Sequence, residues 1–455
     1  MKYAVVTFGC RVNQADSLGF EEALLAGGAV VSSPADADLV VVNSCSVTAT
    51  ADQGTRQTVR RIARDNPSAR IVVTGCYATR SPQEVAALPN VERVVLNDDK
   101  PRLMQLLRRP EKTVEHGRPG SVRLQPDLRG GVRLKADTTN TDVGDGPCGA
   151  AIKPGVAGRT AFTLRVQTGC DEPCSYCIIP TTRGAPRSVR LEDILREVER
   201  VAAAGFKEIA LTGVHLGSYG RDLEPRSTLI DLLHALEAAD LKSGGVRLSP
   251  DRDRDILFRI SSLEPMDCSR EIVDLVAASD RFAPHFHLPL QHASDRVLAA
   301  MRRPYTIDYY ASLVDGIRAR MPNASIGSDI IIGFPGETDE DFEQLAAYLE
   351  RSPLTHIHAF PYSDRPGTAA TAMTGKVNGV VVRERGRRIR DIGNALAARF
   401  LDSQVGTTHR ALTLEDGTHV VTGNYLKVRI PAGRSRNEWV QVRLTSHDDG
   451  ELLRG

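Results

Sequence analysis

A chain of 455 residues is too long for one ordinary domain, so two to four are expected. With 41% apolar and 25% charged residues it reads as globular, and a formal net charge of +1 excludes a uniformly basic nucleic-acid binder, so any such surface is a local patch. No stretch is apolar for long enough to span a bilayer and no signal-peptide core opens the chain. The eight cysteines therefore point to metal or catalysis, not disulfides, and a cytoplasmic location with no membrane contact is expected.

Residues 1–108 alternate strand and helix patterns. Strands are predicted at 3–8, 38–43 and 70–74, and helices at 14–26, 49–66 and 81–87. Continuous apolar strands with helical crossovers predict a parallel sheet covered on both faces. Each strand is followed at once by a cysteine: Gly9-Cys10, Ser44-Cys45 and Gly75-Cys76. In open α/β sheets ligands gather at the carboxyl ends of the strands, so three thiols far apart in sequence can converge on one site. The alternative is three ordinary buried cysteines at strand ends.

Residues 109–158 are rich in Gly, Pro, Asp and Thr and read as a linker, with Cys148 a free thiol. The run Ser121-Val122-Arg123-Leu124-Gln125-Pro126-Asp127 nearly recurs at 131–137 and again at 245–251. This repeated insertion is expected to be solvent-exposed and dispensable.

From 159 to 395, strands are predicted at 162–167, 208–212, 257–261, 286–290, 328–332 and 355–360, with helices such as 191–204 and 227–236 between them. Six βα units predict a partial (β/α)6 barrel, whose site belongs at the carboxyl ends of the strands. Just after the first strand stands Cys170-Asp171-Glu172-Pro173-Cys174-Ser175-Tyr176-Cys177. A tetrahedral zinc site takes four protein ligands. Three thiolates suit three irons of a [4Fe-4S] cube and leave the fourth iron open to an outside ligand. A zinc knuckle or a disulfide loop is the alternative. Cys268 sits outside any motif and reads as structural. His356 and His358 suggest a metal site, but strand alternation near the cavity is the preferred reading because no further ligands are expected to cluster there.

Lys376, Arg383, Arg385, Arg387, Arg388, Arg390 and Arg399 stand against Glu384 and Asp391, a run that is either a solvated helix face or a phosphate contact. Residues 400–455 then switch to short alternating strands (410–415, 419–422, 425–430, 439–444). Turns are expected at Asp416-Gly417 and Gly423-Asn424, and Tyr425 and Trp439 are candidates to stack on bases.

Three cysteines at this spacing, with Tyr176 before the last, resemble the signature of the radical S-adenosylmethionine (SAM) superfamily. In that superfamily the open iron chelates SAM and the reduced cluster splits it to a 5′-deoxyadenosyl radical. The words Thr7-Phe8-Gly9-Cys10-Arg11-Val12-Asn13-Gln14, Val42-Asn43-Ser44-Cys45-Ser46-Val47-Thr48 and Val73-Thr74-Gly75-Cys76-Tyr77-Ala78 resemble the N-terminal motifs of the radical SAM methylthiotransferase family. The resemblance implies an α/β chain in four parts: a parallel-sheet domain (1–108) with an auxiliary [4Fe-4S] cluster on Cys10, Cys45 and Cys76; the linker (109–158); a radical SAM core (159–395) whose cluster sits on Cys170, Cys174 and Cys177; and a small TRAM-like β-barrel (400–455) that binds tRNA. It also implies SAM contacts from Tyr176, Gly213, His215, Ser262, Glu264, Gln291, Asp329, Gly333 and Phe334, with Arg183 ordering the cleft. The expected partners are tRNA, a reductant such as flavodoxin or ferredoxin, and a sulfur donor.

The words Cys10-Arg11-Val12-Asn13-Gln14, Leu211-Thr212-Gly213-Val214-His215-Leu216 and Ser261-Ser262-Leu263-Glu264-Pro265 look most like the branch acting on N6-threonylcarbamoyladenosine next to the tRNA anticodon. The branches acting on isopentenyladenosine or on a ribosomal-protein aspartate are the alternatives within the class. A non-catalytic iron–sulfur RNA-binding sensor is the alternative outside it. The chain departs from the family pattern at the insertion 241–255 and at His292-Ala293-Ser294, where a Ser-Gly pair is usual.

Overall fold

A computed structural model describes residues 1–108, 160–240, 256–414, 417–448 and 451–454. The linker, Cys148, all three copies of the repeat and Asp416 lie outside the described residues.

Five parallel strands form the first sheet: β1 (Lys2–Thr7), β2 (Val30–Val31), β3 (Leu39–Ser44), β4 (Arg70–Gly75) and β5 (Val91–Val95), in the order β2-β1-β3-β4-β5. β3 is buried along its whole length and β4 beyond its first residue, which is why both read as unbroken apolar runs. β2 and β5 carry too little apolar signal to be found from sequence: β2 is two exposed residues and β5 is a short Val-Glu-Arg-Val-Val alternation. Thr7 is level with Asn43 and Asn43 with Thr74, so the three central strands end together. Three helices follow them: α1 (Arg11–Ala26), α2 (Ala49–Asp65) and α3 (Cys76–Arg80). α1 starts three residues earlier than the sequence suggested because Cys10 itself is the extended N-cap residue.

Next come β6 (Phe162–Arg165), β7 (Gln167–Thr168), β8 (Arg187–Ser188), β9 (Glu208–Thr212), β10 (Leu257–Ile260), β11 (His285–His287), β12 (Ser325–Ile332) and β13 (His356–Pro361); β7 and β8 pair antiparallel as a small sheet of their own and the other six build the barrel. β6, β9 and β10 make one parallel trio, β11, β12 and β13 another, and a parallel bridge from Phe258 to Phe282 joins the halves. The barrel is left open, with β6 and β13 at its edges. A single large core, including Ile209, Phe258, Ile326, Leu345 and Leu349, fills the space between these strands and their helices.

One helix, Gly379–Gln404, carries much of the basic run and packs on β13. Four members of the run are engaged within the chain. Arg385 is buried against Glu337 and Asp339, Arg388 pairs with Glu343, Arg399 donates to the carbonyls of Glu350 and Ser352, and Lys376 pairs with Asp364. Arg383, Arg387 and Arg390 remain exposed.

The last strands, β14 (Thr408–Thr413), β15 (His419–Thr422), β16 (Lys427–Arg429), β17 (Trp439–Asp448) and β18 (Glu451–Arg454), curl into a small barrel in the order β14-β15-β16-β18-β17. β18, absent from the sequence reading, closes it by a parallel pairing with β16. The Gly423-Asn424 turn docks this barrel. The Arg259 guanidinium, wholly buried, donates to Glu208 and to the carbonyls of Gly423 and Thr422, while Asn424 reaches the Asn323 carbonyl.

Candidate active site

The level strand ends bring the first three cysteines together. Cys10 caps α1, Cys45 follows β3, and Cys76 opens α3. Gly9, at φ +85°, passes so close that a Cβ there would sit 2.6 Å from the Cys45 sulfur. Burial pushes the Cys45 thiol up to about 12, reinforced by the neighbouring Cys76 and Cys10 sulfurs, so all three share one electrostatic neighbourhood. Asn97 donates to Cys76 Sγ at 3.7 Å and to the Thr182 carbonyl at 2.7 Å, tying this end of the sheet to the barrel. Arg183 is buried beside Cys76 and Cys10 and donates to Asn13.

The second trio sits in the loop after β7. Backbone bonds from Cys170 to Gly184 and from Ser175 to Met301 pin the loop, and Tyr176 packs against a small apolar cluster of Val297, Met301, Phe334 and Ala370. Burial pushes the Cys177 thiol up to about 12, with Cys174 and Cys170 adding to it. Arg303, absent from the sequence reading, donates to Cys174 Sγ at 3.4 Å and pairs with Glu264. Gln167 is a second omission. Its Oε1 accepts from the backbone N–H of both Val214 and His215 at 2.9 Å, which shapes the Gly213–His215 loop against the cysteine loop. His215 lies 3.9 Å from Cys170 Sγ and 2.7 Å from Asp267. Burial opposes its charge, but hydrogen bonds to Asp267 and Cys170 outweigh that and lift it to about 10.

A cavity of about 1120 Å³ is lined by Cys10 of the first trio and, near the second, by Ile179, Gly213 and Val214. Pockets for single drug-sized ligands run roughly 300–1,000 Å³, so this one has room for more than one small molecule. Of the nine residues expected near SAM, Gly213, Ser262 and Asp329 line it. Tyr176, His215, Glu264, Gln291, Gly333 and Phe334 are not among its lining residues; they form the supports just described or the loops behind them. The Gly333 and Phe334 N–H groups are taken by Glu337 Oε2. Gln291 has φ +71° and a backbone bridge to β12, a strained position for a non-glycine residue. His292 is fully buried, held neutral to about 4 by burial, and accepts from Ser294 N–H.

The sequence reading of His358 is corrected here. Asp329 Oδ1 lies 3.1 Å from His287 Nε2 and 3.2 Å from His358 Nδ1, so ligating groups do cluster there, brought from β11, β12 and β13. Two imidazole N–H donors on one carboxylate oxygen account for the arrangement as hydrogen bonding. Two buried polar atoms of lining residues, Ser261 Oγ and His285 Nδ1, have no partner among the described residues. Buried polar atoms without a partner are costly, and here they mark places for a ligand.

Two buried carboxylates clamp the first sheet to the barrel on either side of the first trio. Asp16 pairs with Lys100 at 2.6 Å, with Arg165, and with Arg183 at 3.7 Å. Asp52 takes Arg80 at 2.8 Å and the buried Arg365 at 2.7 Å.

Comparison with known proteins agrees with this geometry. Residues 164–349 match the radical SAM superfamily model, and residues 2–97 match the model described as Uncharacterized protein family UPF0004. The chain is 36% identical, over 97% of its length and 100% of the relative's, to the threonylcarbamoyladenosine tRNA methylthiotransferase MtaB of Aquifex aeolicus. It is 31% identical to the tRNA-2-methylthio-N(6)-dimethylallyladenosine synthase of Carboxydothermus hydrogenoformans, over 90% of this chain and 87% of that one. A solved radical SAM methyltransferase, TsrM from Kitasatospora setae, shares the fold at TM-score 0.54 and 17% identity, covering 81% of this chain and 74% of that one. With a relative of this identity matched from end to end, the chain belongs to the radical SAM methylthiotransferase family.

Proposed function

We propose that this protein is a tRNA methylthiotransferase that converts N6-threonylcarbamoyladenosine beside the anticodon to its 2-methylthio derivative. The observation that carries the reading is two three-thiol sets at one cavity. Cys10 lines the cavity, and the second trio adjoins it through Ile179, two residues after Cys177, and through Gly213 and Val214, which precede the His215 that lies 3.9 Å from Cys170 Sγ. Among the described residues neither trio has all its sulfurs within 4.8 Å of one another, whereas a single tetrahedral ion with metal–sulfur bonds of about 2.3 Å draws thiolates closer than that. The wider spacing and the three-ligand sets fit iron–sulfur cubes. Cys10, Cys45 and Cys76 would hold the auxiliary cluster, and Cys170, Cys174 and Cys177 the cluster that binds SAM.

Replacing an unactivated C–H by C–SCH3 lies beyond any side-chain base, and the clusters with SAM supply the radical and sulfur chemistry it needs. The chain's own residues do the positioning. Gln167 and Asp267 fix His215 and its loop against Cys170, Arg303 places its charge on Cys174, and the Asp16 and Asp52 clamps set the distance between the trios. Residues 1–108, 159–395 and 400–455 divide these tasks as sulfur-inserting, radical-generating and RNA-binding parts, with the exposed Arg383, Arg387 and Arg390 on the helix that leads into the last. A low-potential reductant and a sulfur donor complete the scheme. The longer match and higher identity to the threonylcarbamoyladenosine enzyme favour that substrate over dimethylallyladenosine.

Mass spectrometry of tRNA nucleosides from cells with and without the chain tests this. Methylthiolated threonylcarbamoyladenosine is expected to disappear without it. An unchanged level of that nucleoside removes the substrate assignment.

A further inference from the structure

The cavity wall carries an arginine with no carboxylate partner among the described residues. Arg11 is the first residue of α1, directly after Cys10, and is half-buried on the cavity wall. Other arginines around the trios are committed: Arg183 to Asn13 and Asp16, Arg303 to Glu264, Arg365 to Asp52. The partner of Arg11 among the described residues is the Tyr425 hydroxyl, at 3.3 Å from Nη2, with the guanidinium 5.9 Å from the centre of that ring. Asp329, the one carboxylate among the described lining residues, is occupied by His287 and His358. A guanidinium on a cavity wall without a carboxylate of its own is a receptor for an anionic group brought by a ligand.

Tyr425 says where that ligand lies. It has φ +65°, a region that a bulky side chain seldom adopts. It directly follows the docked Gly423-Asn424 turn, lines the cavity, and is half-exposed, at 49%. The ring is backed by Arg259 at 4.7 Å and His285 at 5.1 Å. A strained aromatic ring with a rigid back and an open face is a platform for a planar base. Arg11 stands at its hydroxyl edge.

On the reading of the substrate given above, the modified adenine carries a threonyl carboxylate; a dimethylallyl substituent carries none. We propose that Arg11 is the specificity-determining residue of this cavity: it reads the threonyl carboxylate of the substrate nucleoside while the base lies against Tyr425. The juxtaposition draws on all three parts of the chain, since Arg11 comes from the first sheet, Arg259 and His285 from the open barrel, and Tyr425 from the C-terminal barrel.

The test uses the reconstituted full-length enzyme and two anticodon stem-loop RNAs. One bears threonylcarbamoyladenosine and the other its threonyl methyl ester, which has the same shape without the charge. The wild-type enzyme is expected to favour the acid over the ester in kcat/KM by on the order of tenfold or more, the usual worth of a charge-assisted contact. Arg11→Gln is expected to abolish that preference by slowing the acid alone, and Arg11→Lys to restore part of it. The ester rate in the same preparation controls for folding and cluster loading. Equal loss on both RNAs in Arg11→Gln, as a phosphate contact or a structural role gives, overturns the proposal, as does a wild-type enzyme indifferent to the ester. A wild-type enzyme that modifies neither RNA but does modify a dimethylallyladenosine stem-loop overturns the substrate reading itself, and this assignment with it.

Discussion

Cys76→Ala is expected to go on cleaving SAM while losing methylthio transfer altogether, whereas Cys174→Ala loses both. The separation follows from where the thiols stand. Cys76 is buried just after β4, with Asn97 and Arg183 as its neighbours. Cys174 belongs to that loop and is tied through Arg303 to Glu264 and Tyr305. Anaerobic reconstitution, followed by parallel assay of 5′-deoxyadenosine and of methylthiolated nucleoside, reads the two activities apart. Full transfer by Cys76→Ala contradicts the division of labour. A protein of this sequence that forms no 5′-deoxyadenosine under any reducing condition is an iron–sulfur sensor and not an enzyme.

Asp16→Asn is expected to cost about 3 kcal/mol or more of stability, the range measured when one member of a buried ion pair is removed. Asp16 is 7% exposed, and its loss leaves Lys100 and Arg183 buried without their carboxylate. Burial alone would raise this carboxyl, but the charges of Lys100, Arg165 and Arg183 outweigh it and hold Asp16 below its ordinary range. For Lys100 the balance falls the other way, with burial pulling the ammonium down, because Arg183 presses on it as well. The carboxylate, flanked by three cations, is the member whose charged form the fold favours. As pH falls, the unfolded carboxyl takes its proton first. The contribution is therefore present above the ordinary carboxylate range, about pH 4, and fades as pH drops through the lower folded-state value. Urea unfolding of wild type and variant should show the large difference at neutral pH and a narrower one in acid, with the first sheet released before the barrel. Adding Lys100→Met should recover part of the loss. A variant as stable as wild type at neutral pH removes the clamp from the account.

The thiol trios were legible because each rests on a local signal. In the first sheet the signal is an apolar strand followed at once by cysteine, three times over. In the barrel it is a spacing within eight residues. Strand alternation placed the barrel and the C-terminal β region for the same reason, and it failed where strands are short: β2 has no core face, and β18 is four residues, Glu-Leu-Leu-Arg, too few to show an alternation although they pair with both β17 and β16. The residues that organise the site were not legible. Gln167, Arg303, Asn97, Lys100 and Arg259 are single polar side chains whose partners lie tens to more than a hundred residues away. Nothing in a linear pattern distinguishes such an arginine from a solvated one, and the basic run at 376–399 shows the same ambiguity from the other side. Of its seven cations Arg385 is buried against Glu337 and Asp339, while Arg388 and Lys376 pair at the surface with Glu343 and Asp364. The β13 histidines carry no local sign of the ligands beside them, because Asp329 and His287 reach them only through the β11-β12-β13 pairing.

Iron and acid-labile sulfide counted on oxygen-free protein bear most directly on the claim that two separate clusters face one cavity. Two cubes give about eight irons and eight sulfides per chain, and replacing Cys10, Cys45 and Cys76 together by alanine should leave about four of each. About four in the wild-type chain, or an undiminished count in the triple variant, contradicts it.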